Sequence, residues 1–264
     1  MSASTEDTPS SADARRAGRE LLLELVFRPL SNALVSGLRR LGIPPHAVVL
    51  ANAATGLGAA LVLARGELLA AAVLLQLKTL LDNADGQLAR VTGRVTLVGR
   101  YLDTIADLVV NAALFAALGY ITGLPVLAFA AFVALTVVLA ADFNATELYR
   151  QARGIPTSRP PATGGRAERL LQGMYALVFG PLDRVLRAFA ARRFDGRGGY
   201  DRFTVTALAN LGLTTQLVVL GLCLVLRAPT AYLWFVLACL AALVPLQLRA
   251  ERHARQAAPR SVTR

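Results

Sequence analysis

Four aspartates between residues 82 and 107 are spaced so that they fall in pairs on two helix faces. Asp82 and Asp85 are three residues apart, and Asp103 and Asp107 follow four residues apart. At about 100° of rotation per residue, the two members of each pair share one face of an α-helix. Because the connection at 91–98 is short, the two helices should be antiparallel neighbours. We therefore expect the four carboxylates to converge.

Converging carboxylates in an apolar chain need compensating positive charge. An Asp placed in the middle of a membrane costs about 3 kcal/mol, and like charges held close together repel. Lys78 and Arg90 supply part of the compensation, and two divalent cations would balance the four carboxylates in full. Oxygen ligands without His or Cys nearby favour Mg²⁺ or Mn²⁺ over zinc. Since Mg²⁺ keeps positions open for water or phosphate oxygens, the pattern predicts a phosphate-handling site.

Small residues accompany the aspartates on the same helix faces. Gly86 and Ala89 share the face of the first pair, and Gly99 shares the face of the second. Residues without a large side chain let a ligand come close to the backbone. We therefore expect the ligand to lie against these positions.

These residues resemble the signature of the CDP-alcohol phosphotransferase (CDP-alcohol phosphatidyltransferase) family, D-x2-D-G-x2-A-R-x8-G-x3-D-x3-D. Every fixed position and every gap is reproduced. The matching residues are Asp82, Asp85, Gly86, Ala89, Arg90, Gly99, Asp103 and Asp107. A motif with this many fixed positions is specific.

The resemblance implies an integral membrane enzyme with six transmembrane helices, a surface arm before the first helix and usually a homodimeric assembly. The family transfers a substituted phosphate from a CDP-linked donor, most often CDP-diacylglycerol, to an acceptor hydroxyl and releases CMP. Carried over by position, the metal ligands of a two-cation centre would be Asp82, Asp85, Asp103 and Asp107. Asp107 would also take the proton of the acceptor. The nucleotide would be bound by Gly86, Ala89, Arg90 and Gly99.

The composition independently predicts an all-α integral membrane protein. Of the 264 residues, 55% are apolar and 17% are charged, and the mean hydropathy is +0.51. An ordinary soluble domain is less apolar than this. Six stretches are long enough, or nearly so, to cross a hydrocarbon core, which takes about 20 helical residues. They are 47–64, 67–89, 99–122, 125–148, 203–226 and 229–248.

The distribution of basic residues predicts the topology. With a cytoplasmic N-terminus, 25 of the 28 basic residues fall on the cytoplasmic side and two on the other, as the positive-inside rule requires. We expect a disordered tail at 1–19, an interfacial amphipathic helix at 20–45 and a six-helix catalytic domain at 46–250. A cytoplasmic loop with a surface helix at 151–202 and a basic tail at 251–264 complete the chain. The protein would lie in the cell (cytoplasmic) membrane, with the active site and both termini facing the cytoplasm.

Several polar residues outside the signature are candidates for contacts with the acceptor or a phosphate. Lys78 is either a structural partner of Asp82 or a phosphate ligand. Near the end of the fourth stretch, Asp142, Glu147 and Arg150 either line the acceptor pocket or form ion pairs at the helix end. The arginines of the long loop suit lipid headgroups or a phosphorylated acceptor.

The acceptor stays open at this point, with glycerol phosphate, inositol phosphate, inositol and serine as alternatives. Members of the family that use glycerol phosphate or inositol phosphate often carry Lys or Arg after the last Asp, where Leu108 stands here. Choline and ethanolamine enzymes often have His in place of Thr104. The other functions considered are a magnesium-dependent membrane prenyltransferase and a non-enzymatic cation carrier. Nucleic acid is not an expected partner.

Overall fold

The computed structural model describes residues 18, 20–155, 164–194 and 199–257, and all the regular secondary structure in these residues is helical. A π-helical turn at Leu23–Phe27 precedes the first α-helix. The α-helices are α1 (Arg28–Arg40), α2 (Pro45–Ala64), α3 (Leu68–Val91), α4 (Leu97–Thr122), α5 (Pro125–Ala152), α6 (Arg166–Val178), α7 (Gly180–Phe194), α8 (Arg202–Ala209), α9 (Leu213–Val225) and α10 (Pro229–Ala257).

Four described helices, α2, α4, α5 and α10, are long and apolar enough to cross a membrane. The bent pair α8 and α9 adds a fifth span if it crosses as one unit. Helix α3 has 24 residues but carries Lys78, Asp82 and Asp85, so its composition alone does not mark it as a span. The structure thus confirms an all-helical chain with several apolar helices, and the count of six spans stays a prediction.

One face of helix α3 packs into the helix bundle, whereas Leu69, Val73 and Leu77 on the other face are exposed. It packs against α1, α2 and α9, and α2 also packs against α4. Leu75 and Leu88 of α3 are fully buried. The packed face explains how α3 keeps a polar C-terminal half, because Lys78 and Asp85 are buried against protein groups.

A glycine allows α2 to approach α3 and α4 closely. A Cβ added at Gly56 would overlap the side chain of Val110 and would lie 3.2 Å from Cδ of Lys78. Small residues at helix interfaces permit such close contact. Gly56 therefore determines how closely α2 approaches α3 and α4, the helices that carry the acidic residues.

The stretch predicted as one span at 203–226 is interrupted. Helices α8 and α9 are bent by 40° relative to each other at a three-residue break. At the break, a Cβ on Gly212 would lie 2.7 Å from the carbonyl oxygen of Ala209. Backbone hydrogen bonds bridge the break, from the N–H groups of Leu211 and Gly212 to the carbonyl oxygens of Leu208 and Ala209. The side chain of Gln216 donates to the carbonyl oxygen of Leu211. The stretch is therefore a bent pair of helices, and its crossing of the membrane as one span stays a prediction.

The surface segments agree in part with the predicted boundaries. The arm at 20–45 contains the π-helical turn and α1, and its position at the membrane surface stays a prediction. The long loop contains two helices that meet at Gly180, where Pro181 favours a new helix start. Helix α10 continues to Ala257, beyond the predicted start of the tail at 251. The tail at 1–19, apart from Gly18, and the turn-rich residues 156–163 lie outside the described residues.

The close approach at Gly56 predicts a large difference between two neighbouring substitutions. Gly56→Ala should lower the free energy of unfolding by about 1–3 kcal/mol, because the added methyl group overpacks a tight interface. Gly58→Ala is the matched control: nothing lies within 4 Å of its Cβ position, so better helix propensity should leave stability unchanged or slightly higher. Thermal unfolding in detergent measures both. Equal effects of the two substitutions would contradict the packing described.

Candidate active site

Three carboxylates from two helices meet at the polar end of α3. Asp82 and Asp85 come from α3 and Asp103 comes from α4. One oxygen of each lies within 4.8 Å of the others, a separation at which they could share a metal ion. Helix α2 packs against both α3 and α4, and the polar ends of α3 and α4 bring these side chains together. We call these three residues the carboxylate triad.

The donor set of the carboxylate triad fits a hard divalent cation. Oδ2 of Asp85 and Oδ1 of Asp103 are buried and have no hydrogen-bond partner. Asp85 as a whole is only 6% exposed. A buried carboxylate oxygen without a donor is costly, and a cation with oxygen ligands would remove that cost. The residues present therefore suit Mg²⁺ or Mn²⁺.

Asp107 is held differently from the carboxylate triad. Its Oδ1 accepts a hydrogen bond of 2.8 Å from Nζ of Lys78, and the same Nζ lies 3.6 Å from Oδ1 of Asp82. Oδ1 of Asp82 also accepts a hydrogen bond of 2.9 Å from the side-chain amide of Asn52. Of the four predicted ligands, three thus form one group, and the fourth is ion-paired with Lys78.

The predicted nucleotide-binding residues border the carboxylate triad. A Cβ on Gly86 would lie 3.4 Å from Nη1 of Arg90, so the guanidinium folds back over that glycine. Ala89 is half-buried. Gly99 is in the first turn of α4, where its N–H donates to Oγ1 of Thr96 at 3.0 Å. The side-chain atoms nearest to the Cβ positions of the two glycines belong to Arg90 and Thr96.

A cavity of about 560 Å³ adjoins Asp103 and Asp107. It lies between α4 and α5, and α6 and α7 close it from outside. The residues that line it are Leu97, Arg100, Tyr101, Asp103, Thr104, Asp107, Leu108, Asn111, Thr136, Leu139, Ala140, Phe143, Glu147, Gln172, Tyr175, Phe179, Asp183, Arg187 and Leu213. A concave site with a few convergent polar groups is typical of small-molecule binding.

Of the four additional candidates for contacts with the acceptor or a phosphate, one lines the cavity and three do not. Glu147 lines the cavity and accepts a hydrogen bond from Gln151. Lys78, Asp142 and Arg150 are not among the lining residues. Oδ1 of Asp142 and Nε of Arg150 are buried without a hydrogen-bond partner, and within the described part of the chain no ion pair joins these two side chains. The alternative of a helix-end ion pair is therefore wrong for them.

The outer wall of the cavity carries a polar network that the sequence analysis missed. Oδ2 of Asp183 accepts a hydrogen bond of 3.1 Å from the hydroxyl of Tyr175. Oδ1 of Asp183 accepts one of 2.9 Å from Asn144, whose own Oδ1 accepts one of 3.3 Å from Nε of Arg187. Burial and the neighbouring Asp183 raise the pKa of Tyr175 to about 12, so the hydroxyl keeps its proton and stays a donor.

Two guanidinium groups also face this cavity. Arg187 makes only the hydrogen bond to Asn144, and Arg100 lies over the ring of Phe143, with 5.4 Å between Cζ and the ring centroid. No ion pair joins either arginine to a carboxylate among the described residues. The sequence contained one signal for this wall: Asp183 and Arg187 are four residues apart and so share a helix face.

Comparison with known proteins gives two matches. The family model described as CDP-alcohol phosphatidyltransferase matches residues 41–243. The chain is 34% identical over 98 residues to a protein of Mycobacterium marinum named phosphatidylinositol phosphate synthase. That match covers 37% of this chain and 42% of the relative, so the chain spans less than half the length of the relative it matches. The family match and the apolar helices together identify an integral membrane protein.

The unpartnered oxygens predict that divalent cations stabilise the folded protein through the carboxylate triad. Mg²⁺ or Mn²⁺ at about 100 times its Kd should add about 2.7 kcal/mol to the free energy of unfolding, and EDTA should reverse the gain. Asp85→Asn should abolish the gain. Glu67→Gln, an exposed site at the opposite end of α3, is the control and should keep it. A full cation effect in Asp85→Asn would contradict the assignment. The measurement is thermal unfolding in a neutral detergent.

Proposed function

Because this chain belongs to the CDP-alcohol phosphatidyltransferase family, we propose that it transfers a phosphatidyl group in phospholipid synthesis. The donor would be CDP-diacylglycerol, the acceptor a small molecule with a hydroxyl group, and the second product CMP. The observation that carries the proposal is the position of Asp107. It lies one helical turn from Asp103 of the carboxylate triad, and both side chains line the same cavity.

In this proposal the carboxylate triad binds the divalent cation, and the side chains around it bind the donor. When bound, the cation supplies positive charge that stabilises a pyrophosphate and the leaving phosphate. Gly86, Ala89 and Gly99 let the nucleotide approach the backbone, and Arg90 offers a charged donor for phosphate oxygens. The donor would thus lie beside Asp103, at the inner end of the cavity.

Asp107 is the proposed base. Its side chain is 21% exposed and lines the cavity, so an acceptor hydroxyl can reach it. Asp107 takes the hydroxyl proton while the acceptor oxygen forms a bond to the phosphorus of the substituted phosphate. The bond from that phosphorus to the bridging oxygen breaks, and CMP leaves with that oxygen. Lys78 orients the carboxylate of Asp107 by holding its other oxygen.

We further propose that the acceptor carries a phosphate group. Arg100 and Arg187 line the cavity without a carboxylate partner among the described residues, and guanidinium groups bind phosphate in a bidentate geometry. Tyr175 and Glu147 add a hydroxyl and a carboxylate suited to hydroxyl groups of the acceptor. The relative named phosphatidylinositol phosphate synthase supports inositol phosphate among the alternatives that the sequence left open.

The proposal includes the membrane arrangement. Helix α3 and the bent pair α8 and α9 would complete six spans, with the active site and both termini in the cytoplasm. The basic residues support this orientation through the positive-inside rule. A homodimer, the choice between Mg²⁺ and Mn²⁺, and a second cation stay predictions.

The proposed base predicts a sharp loss of turnover in Asp107→Asn. Wild-type protein with CDP-diacylglycerol, Mg²⁺ or Mn²⁺ and a panel of acceptors should release CMP. Asp107→Asn should reduce kcat by about 10²–10⁴, the usual contribution of general base catalysis, and should keep donor binding. The amide oxygen can still accept from Lys78, so the fold should persist. The matched control is Glu67→Gln, which should leave turnover unchanged.

Two outcomes would contradict these assignments. Unchanged kcat in Asp107→Asn would show that Asp107 is not the base. Inactivity of the folded wild type with every acceptor would contradict the proposed function.

The two cavity arginines predict selectivity for a phosphorylated acceptor. Arg187→Gln removes a charged hydrogen-bond donor worth about 1.5–3 kcal/mol, so kcat/KM for inositol phosphate should fall about 10- to 100-fold. Any residual turnover with inositol should hardly change. Arg184→Gln is the control, because Arg184 is on the same helix, bonds to the carbonyl oxygen of Gly180 and does not line the cavity. An equal loss for both acceptors, or no loss, would contradict the phosphate assignment.

A further inference from the structure

Besides orienting Asp107, Lys78 places a buried positive charge inside the acidic cluster. Lys78 lies in the middle of α3, and its side chain is 0% exposed. A buried ammonium needs a strong reason to stay in place, because the loss of hydration is costly unless the charge is paired. Its partners are Asp107 and Asp82, at 2.8 Å and 3.6 Å.

The surrounding helices form a slot for this side chain. A Cβ at Gly56 of α2 would lie 3.2 Å from Cδ of Lys78, so the glycine makes room for the aliphatic stem. One turn earlier on α2, Asn52 hydrogen-bonds to Oδ1 of Asp82, the oxygen nearest to the ammonium. The slot holds Nζ between α3 and α4, where the Lys78 side chain is fully buried.

The position of Nζ divides the acidic cluster into two parts. On one side, the carboxylate triad gathers three oxygens within 4.8 Å, and Asp85 and Asp103 have unpartnered oxygens there. On the other side, Oδ1 of Asp107 and Oδ1 of Asp82 face the ammonium. The first part has open ligand oxygens for a cation, whereas the second part already contains a positive charge.

We propose that the ammonium of Lys78 takes the place of a second divalent cation, so that each chain binds one such ion. A divalent cation between Asp107 and Asp82 would have to share their oxygens with a buried positive charge at hydrogen-bond distance, and the repulsion excludes it. The inference rests on the proposed function, because Lys78 would supply the second positive charge at the same phosphate-handling site. It replaces the sequence-based prediction of two cations.

The number of Mn²⁺ ions bound per chain tests this inference without any measurement of turnover. Full-length protein in a neutral detergent is titrated with Mn²⁺, and free Mn²⁺ is followed by its electron paramagnetic resonance signal, with and without CMP. Asp85→Asn provides the background for ions that bind elsewhere. We expect one specific ion in the wild type under both conditions. In Lys78→Met, which removes the charge and keeps the apolar stem, we expect two.

A double variant identifies the ligand of the additional ion. Lys78→Met combined with Asp107→Asn should return the count to one, because the carboxylate that the ammonium occupied is then lost. Two ions in the wild type would overturn the inference while leaving a cation-dependent transferase intact. One ion in folded Lys78→Met would overturn it as well. No specific ion in the wild type would overturn both the inference and the carboxylate triad as a metal centre. If Lys78→Met does not fold, the wild-type count alone decides.

Discussion

The structure depends on how the negative charges of buried carboxylates inside a helix bundle are compensated. Each buried carboxylate must gain a partner, since an unpaired one costs more than the packing of a single side chain returns. The described residues supply partners for some of the acidic oxygens. Lys78 and Asn52 satisfy Oδ1 of Asp107 and Oδ1 of Asp82, while Asp85 and Asp103 keep oxygens without a donor. The remaining demand for positive charge is what makes the carboxylate triad a candidate cation site.

The fold serves this arrangement by enclosing one polar helix. Helix α3 packs against α1, α2 and α9, so Lys78 and Asp85 on its polar half are buried among protein groups. The glycine at position 56 brings α2 close enough for Asn52 to reach Asp82 and for the stem of Lys78 to be covered. The surface helices α6 and α7 then close the cavity beside Asp107. The same packing thus provides a charged inner end and a polar outer wall for a ligand.

Local spacing made much of the site predictable. Residues three or four apart share a helix face whatever the rest of the fold does, so the convergence of Asp82, Asp85 and Asp103 followed from the sequence and a short connection. The apolar runs likewise predicted the membrane helices. The pairing of Lys78 with Asp107 was not predictable, because it depends on how α3 and α4 are rotated about their axes. The four-residue spacing between Lys78 and Asp82 predicted only Asp82 as the ion-pair partner of Lys78.

Features that depend on packing between distant segments escaped the sequence analysis. Tyr175, Asp183 and Arg187 reach the cavity only because α6 and α7 fold against α4 and α5, and a mixed apolar and basic loop gives no sign of that docking. The break between α8 and α9 lies in an apolar run, where short-range backbone hydrogen bonds and the side chain of Gln216 satisfy the backbone. Hydropathy is insensitive to such a break.

The central claim is that the carboxylate triad on two neighbouring helices holds a divalent cation. The most direct measurement is anomalous diffraction from crystals of the protein grown with Mn²⁺ in a lipidic phase, collected at the manganese absorption edge. The account predicts an anomalous peak within coordination distance, about 2.0–2.6 Å for such hard cations, of oxygens from Asp82, Asp85 and Asp103. A peak elsewhere with these side chains directed toward lipid, or no peak at saturating Mn²⁺, would contradict it.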